Sequence, residues 1–293
     1  MIGVPWLDVS RLSMAGAARM IEAALRAGLD PQADPVLPGV DLPGGTMLLA
    51  PASGALYAGV RVVTVAPDNP ARGLPRVQGV YLLFHGESLQ PLALLDGADL
   101  TALRAPAISA VALRHLTPDR PLSTVLFGTG VQAWGHIQAC VAVRRLARLT
   151  VVGREVARTE AFAARCRAIG VPAAAGTPEA VRGADLVLCC TTSTTPLFDS
   201  AELPDSAAVL AVGGYRSGGR DVDEEYVARA ALYVDARTAA LYRAGVTVAP
   251  ARRLINLAEL LAVPVDLAQP RLFTSVGAAW EDLVVAAAVY ELT

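Results

Sequence analysis

Charge is scarce in this chain. Asp, Glu, Lys and Arg together make up 18% of 293 residues and sum to a net charge of −2. Such a balance supplies no basic face for nucleic acid or an anionic membrane, so neither partner is expected. Cysteine is sparse too, with four residues at 140, 166, 189 and 190. None has zinc-site spacing and no disulfide framework is implied; they read as buried or free thiols of a reducing compartment. Three histidines, His85, His115 and His136, share no spacing, so no metal site is expected. No apolar run reaches membrane-spanning length without a charge. The N-terminus lacks the basic segment and apolar core of a signal peptide. The expectation is a soluble, cytoplasmic protein with no internal repeat and no low-complexity tail.

Apolar residues, by contrast, are plentiful at 54%, and the length accommodates two domains with a large core. Residues 8–28 carry Leu12, Met14, Ala17, Ile21 and Leu25 at helical spacing, with Gly28 as a stop. Residues 31–45 are rich in Pro, Gly and Asp and read as loop or hairpin. Extended segments follow at 46–50, 57–65, 77–84 and 92–95, without the alternation of a strand–helix–strand unit. A helical pattern covers 96–116, and the Pro-flanked stretch 117–121 reads as a domain boundary. From about residue 122 strands and helices alternate as in a parallel sheet. The last helical pattern, 277–292, reads as returning to the first domain. The implied layout is a substrate domain over 1–118 plus 271–293 and a nucleotide-binding domain over 119–270.

The stretch Val125–His136 organises this second domain. The apolar run Thr124–Phe127 suits a buried parallel strand. Gly128, Gly130 and Ala133 then give the spacing GxGxxA before a helix from Val131 to about Arg145. Gly128 permits a tight turn, Gly130 leaves the backbone open to a pyrophosphate, and Ala133 allows close helix–strand packing. The helix N-terminus offers N–H groups to phosphate. Further strands at 149–152, 185–190 and 207–212 fit a doubly wound sheet. The candidate cofactor residues are Gly128, Thr129, Gly130, Val131 and Gln132, with Thr191, Thr192, Ser193 and Val212 at later strand ends. The second strand ends in Gly153-Arg154, an arginine where an acid is usual for the NAD ribose, and Arg158 follows one helical turn later. A guanidinium pair suits a 2′-phosphate, which favours NADP(H) over NAD(H), although Glu155 lies close by.

Several stretches together, Gly59–Asn69, Leu95–Arg104, Gly128–Ala133 and Ser275–Gly277, resemble the ornithine cyclodeaminase/mu-crystallin family in order and spacing. The resemblance covers nearly the whole chain. It implies a Rossmann domain inserted into a second α/β domain for dimerisation and substrate, a nicotinamide cofactor, small amino or imino acid substrates and a homodimer. It also implies that Arg104 binds a substrate carboxylate, that Asn69 lies near the substrate and that Ser275 and Gly277 lie on the nicotinamide side. Three departures stand out. Arg61 occupies the place of the family's strand lysine, Leu37 that of an arginine, and Tyr215 that of the aspartate general acid/base.

A tyrosine, with a reference pKa of about 10, is a poor base at neutral pH but still donates a proton. Ornithine cyclodeamination is therefore doubted. The resemblance and its departures together imply instead an NADPH-dependent oxidoreductase reducing the C=N bond of a small cyclic imine, with or without a carboxylate. Arg61 and Arg104 would hold an acidic group and Tyr215 would give the proton. The alternatives are a non-catalytic NADPH-binding protein like the crystallins, or a pathway-specific amino-acid dehydrogenase.

Overall fold

The computed structural model describes residues 3–34, 39–213, 221–237, 253–275 and 277–293. They divide into two units, Met1–Arg104 with Ala278–Thr293, and Ala105–Gly277. These boundaries differ from the 118/119 and 270/271 breaks expected from the sequence. One falls inside a continuous helix, Gly97–Leu116. The other lies three residues beyond a strand, Arg271–Thr274, that belongs to the sheet of the second unit.

The first unit is built on a six-stranded sheet. Its strands are β1 (Trp6–Leu7), β2 (Gly39–Leu42), β3 (Gly45–Ser53), β4 (Tyr57–Val65), β5 (Val77–His85) and β6 (Pro91–Asp96), in the order β1-β6-β5-β4-β3-β2. Only β1 with β6 is a parallel pair. Helix α1 (Met14–Arg26) starts later than the apolar spacing suggests, because Ser13 takes the Gly16 N–H at 3.1 Å and caps the helix there. Residues 9–11 form a 3-10 turn instead. The C-terminal helix of the chain, Ala279–Tyr290, packs on β3, β4, β5 and α1.

Strand periodicity decides what this sheet buries. Ala50, Arg61, Tyr81 and Leu95 are register partners in turn across β3, β4, β5 and β6, so they share a face. With Ala52, Leu83 and Ala93 they are buried under the helices. The alternate residues Val60, Val62, Val80, Leu82, Phe84 and Leu94 are only half-buried on the opposite face.

Helix α2 (Gly97–Leu116) carries the chain into the second unit. There β7 (Leu122–Phe127), α3 (Val131–Val143), β8 (Leu146–Val152), α4 (Val156–Ala168), β9 (Ala173–Ala175), β10 (Leu186–Cys189) and β11 (Ala208–Ala211) follow in order. After them come α5 (Glu224–Arg229), β12 (Ala231–Val234), β13 (Leu254–Asn256), α6 (Leu257–Ala262) and β14 (Arg271–Thr274). The Ala279–Tyr290 helix is α7. The sheet is parallel throughout, in the order β13-β12-β14-β11-β10-β7-β8-β9. From β7 the chain winds outward through β8 and β9, then returns to place β10 on the other side of β7. This reversal makes the β7/β10 junction a topological switch point, where open α/β sheets bind ligands at the C-terminal strand ends.

Both faces of the central strands are covered, so β10 and β11 are buried along their whole length. The Leu188 side chain is 0% exposed. Leu188→Ala is therefore expected to cost about 2–5 kcal/mol, the range for a large-to-small change in a tight core, read from the shift in the urea midpoint. A loss below about 1 kcal/mol would contradict this packing.

Candidate functional site

In the second unit the glycine turn lies at the switch point. Gly128 has φ +109°, and a Cβ there would stand 2.4 Å from the carbonyl oxygen of Cys190, the residue after β10. Glycine is thus required twice over, by conformation and by space. Gly130, the N-cap of α3, has open space where its Cβ would be, and no side chain caps this helix end. Ala133 is 0% exposed in the packed helix. An open backbone at an uncapped helix N-terminus suits a pyrophosphate, so these residues fit a dinucleotide. Thr129 and Val131 belong to the same turn, and Val131 is 72% exposed. Arg154 is exposed just past β8. Arg158 is exposed too and lies 3.7 Å from Glu155 in an ion pair.

Two carboxylates absent from the sequence expectation fasten the loops at this edge. Asp221 accepts from Thr191 Oγ1 at 2.8 Å, and Thr191 Oγ1 accepts from the Ser193 N–H at 3.1 Å. Burial pushes the Asp221 carboxyl up to about 6, against the bonds from Thr191 and the Gly213 N–H. Thr192 is exposed on the same loop, and the Val212 N–H donates to Cys189 O at 3.1 Å. Asp235, fully buried after β12, accepts from Ser275 Oγ and from the Gly277 N–H, both at 2.8 Å. An acid at the C-terminal end of a parallel strand, as in Val234-Asp235, was the available signal.

Gln132 takes part through its backbone. His136 Nδ1 lies 2.7 Å from Gln132 O, and Nε2 lies 2.9 Å from Ser109 Oγ. A carbonyl only accepts, so Nδ1 carries the proton and Nε2 accepts from the serine. Burial lowers the His136 pKa to about 4, keeping the ring neutral. It is an internal tie between α2 and α3.

In the first unit, four charged side chains form a buried cluster. Asp282 Oδ2 lies 3.2 Å from Arg61 Nε, and Asp282 Oδ1 accepts from Arg104 Nε at 3.0 Å. Arg104 also donates to Glu281 Oε2 at 2.6 Å, and Arg61 to Thr101 Oγ1 at 3.1 Å. Arg61 and Arg104 are 9% and 4% exposed, while Glu281 and Asp282 are 0% exposed. Arg104 is the eighth residue of α2, which begins at Gly97, one residue inside the helical stretch 96–116 expected from the sequence. The two adjacent acids in an otherwise Ala- and Val-rich helix were the missed signal. Asn69 lies apart from this cluster in the hydrogen-bond network: its side chain donates to Pro75 O at 3.0 Å and closes its own loop. Tyr215 and Leu37 lie outside the described residues. The chain contains no lysine, all 25 basic residues being arginine, so lysine Schiff-base chemistry is absent.

Asp34 binds the first turn of α7, accepting the Trp280 N–H at 2.7 Å, and burial raises its carboxyl to about 6. Beside it lies a cavity of about 800 Å³ lined by Leu29, Pro51, Phe84, Trp280 and Leu283 among others. Tyr81, 0% exposed, has a hydroxyl without a hydrogen-bond partner among the described residues. Its phenol is held far above the usual range by burial and by the negative charges of Asp282 and Asp34. The Tyr81 ring packs over Gly59, where a Cβ would stand 2.1 Å from the hydroxyl oxygen.

Among the described residues, no three His, Cys, Asp or Glu side chains gather as metal ligands, and no helix is long and apolar enough to cross a membrane.

Two tests follow from these placements. Arg104→Met leaves Glu281 and Asp282 without that partner in a dry setting. It is expected to cost about 3–5 kcal/mol in denaturant unfolding, while the combined Arg104→Met and Glu281→Gln change recovers part of the loss. The second test is the pH dependence. Asp34 and Asp221 each rise from 3.8 to about 6 on folding. Their stabilising contribution is complete below about pH 4 and lost as pH rises through 6. His136 has the opposite sign, its contribution being full above about pH 6.5 and lost as pH falls toward 4. Asp34→Asn should therefore lose less stability than the parent between pH 4 and 6 in urea melts; an unchanged slope would refute the raised carboxyl.

The sequence pattern of the ornithine cyclodeaminase/mu-crystallin family covers residues 9–293. Delta(1)-pyrroline-2-carboxylate reductase 2 of Burkholderia ambifaria is 33% identical over 81% of this chain and 78% of its own length. Ketimine reductase mu-crystallin of Mus musculus is 32% identical over 79% and 74%. The solved structure of Thermococcus litoralis Delta(1)-pyrroline-2-carboxylate reductase in complex with NADH and L-proline is similar at a TM-score of 0.85, with 25% identity, over 96% of this chain and 93% of that one. An archaeal alanine dehydrogenase dimer with bound NAD gives a TM-score of 0.88, with 26% identity, over 97% and 93%. With a pattern that spans nearly its whole length, this chain belongs to the ornithine cyclodeaminase/mu-crystallin family.

Proposed function

We propose that the protein is a nicotinamide-dependent reductase of the C=N bond in a small, carboxylated and cyclic imine. The observation that carries this reading is the glycine turn at the β7/β10 switch point, with its open Gly130 and uncapped helix, in a chain one-third identical to a pyrroline-carboxylate reductase. When bound, the cofactor supplies a hydride to the imine carbon. Gly128 and Gly130 admit its pyrophosphate to the backbone, and the α3 N–H groups receive the charge. Asp221 holds the Thr191–Ser193 loop and Asp235 the Ser275–Gly277 turn, which keeps both at fixed positions on the ligand edge of the sheet. Arg154 and Arg158 are the proposed grip on a 2′-phosphate, so NADP(H) is preferred to NAD(H).

Arg61 and Arg104 anchor the substrate's acidic group. Asp282 bridges their Nε atoms and keeps two like charges side by side, with both guanidinium planes oriented before substrate arrives. A protonated imine brings its own proton on nitrogen and needs no strong base; Tyr215 is the proposed donor where it does not. Homodimer formation is supported by the half-buried apolar face of the six-stranded sheet and by Trp6, 57% exposed at its edge.

A nucleotide-binding protein without turnover is the second reading. It is favoured by the internal carboxylate partners that both arginines already have.

The test is oxidation of NADPH, with NADH in parallel, on cyclic imines with and without a 2-carboxylate. Turnover confined to carboxylated imines, faster with NADPH, is the expected result. Turnover confined to imines without the carboxylate would remove the arginines from substrate binding. Tight NADPH binding with no turnover on any imine would establish the second reading.

A further inference from the structure

The proposed grip on a 2′-phosphate has an acid in its midst. The Gly128 N–H donates to Val152 O at 2.9 Å, so the end of β8 lies against the glycine turn. Gly153 fits there only for want of a side chain. A Cβ would stand 3.3 Å from Thr129 Cγ2 and 2.4 Å from Thr159 Oγ1. Arg154 and Glu155 therefore leave the strand at the rim of that turn, 24 and 25 residues beyond Gly130. In a dinucleotide fold this strand end meets the adenosine ribose, where an acid accepts from a 2′-hydroxyl and an arginine receives a 2′-phosphate. This chain presents both, side by side.

The Glu155 carboxylate has no duty within the helix. Glu155 is the N-cap of α4, yet its side chain makes no capping bond. Only its backbone carbonyl serves the helix, accepting from the Thr159 N–H at 3.0 Å and from Thr159 Oγ1 at 2.8 Å. The carboxylate lies 3.7 Å from Arg158, and both side chains are more than half exposed. An ion pair so open adds little to stability, and its main effect is on the local charge. It turns Arg158 toward a carboxylate and sets a negative charge beside Arg154. A 2′-phosphate brings about two negative charges of its own. At about 5 Å in water, a carboxylate and a dianion repel by enough to weaken binding about tenfold.

We infer that Glu155 sets the coenzyme selectivity: it opposes a 2′-phosphate, withholds Arg158 from it and accepts from a 2′-hydroxyl, so that the protein binds both NADPH and NADH. Arg154 supplies the attraction for the phosphate, and Glu155 holds the resulting preference to a modest ratio. This selectivity rests on the dinucleotide reading above and not on the identity of the imine.

Calorimetric titration of the intact protein with NADH and NADPH at low ionic strength tests this without any imine. The parent protein should bind both, with dissociation constants within about tenfold of each other. Glu155→Gln and Glu155→Ser remove the charge without removing a capping bond. Each should tighten NADPH about tenfold and leave NADH unchanged or weaker. Arg158→Met should then cost NADPH more in the Glu155→Gln protein than in the parent, because Arg158 is no longer held back. An affinity ratio between the two coenzymes that is the same in the parent and in both Glu155 variants overturns the proposal. So does a parent that prefers NADPH by about a hundredfold or more. A parent that favours NADH, with a ratio that moves toward NADPH in the variants, keeps Glu155 as the determinant and sinks the NADP(H) preference proposed above. Binding of neither coenzyme would sink the dinucleotide reading, and the selectivity with it.

Discussion

The carboxylate of Asp282 is the constraint on which the first unit depends. One oxygen faces Arg61 on β4 and the other accepts from Arg104 on α2, so a single side chain of α7 ties a strand, a second helix and the chain's last helix together. Charges this deeply buried are tolerable only when paired, and their cost enforces the arrangement: any packing of α7 that moved Asp282 would strand two guanidinium groups. Asp34 adds a second tie, binding the first turn of the same helix from the loop after α1. This explains why a unit built from residues 1–104 needs 278–293 to complete it.

The second unit follows a different logic. The central strands of its sheet are covered on both faces, so stability comes from continuous apolar strands, and polar groups are pushed to the C-terminal strand ends. There Asp221 and Asp235 act on loops: each gathers N–H or O–H donors from segments far apart in sequence. Backbone crowding does the rest, as the carbonyl of Cys190 leaves no room for a side chain at Gly128. The result is a rim with fixed shape, suited to a ligand whose phosphates want backbone donors.

Much of this was legible beforehand. Apolar runs and the GxGxxA spacing located β7, β8, β10 and β11 to within a few residues, because buried strands leave a dense, local signature, while the short β9, β12, β13 and β14 were not read. Strand 57–65 was read with the bounds it has in the structure. Helix α1 was read too long at its start, since the Ser13 cap outweighs apolar spacing. The domain borders moved because a helix runs unbroken through one of them and because β14 enters a sheet whose other strands precede it by many residues. Arg61 and Arg104 were visible as candidates, but their partners were not, lying about 180 to 220 residues further along the chain.

The sequence by itself determined the elements, the nucleotide turn and the family, because these are written in short-range spacing and residue type. Tertiary structure alone decided that the two arginines share one aspartate, that Asp34 caps α7 beside a cavity, and that Asp221 and Asp235 hold loops. Burial, pairing and the proton affinity of a side chain depend on what the rest of the chain brings against it, and no local pattern encodes that.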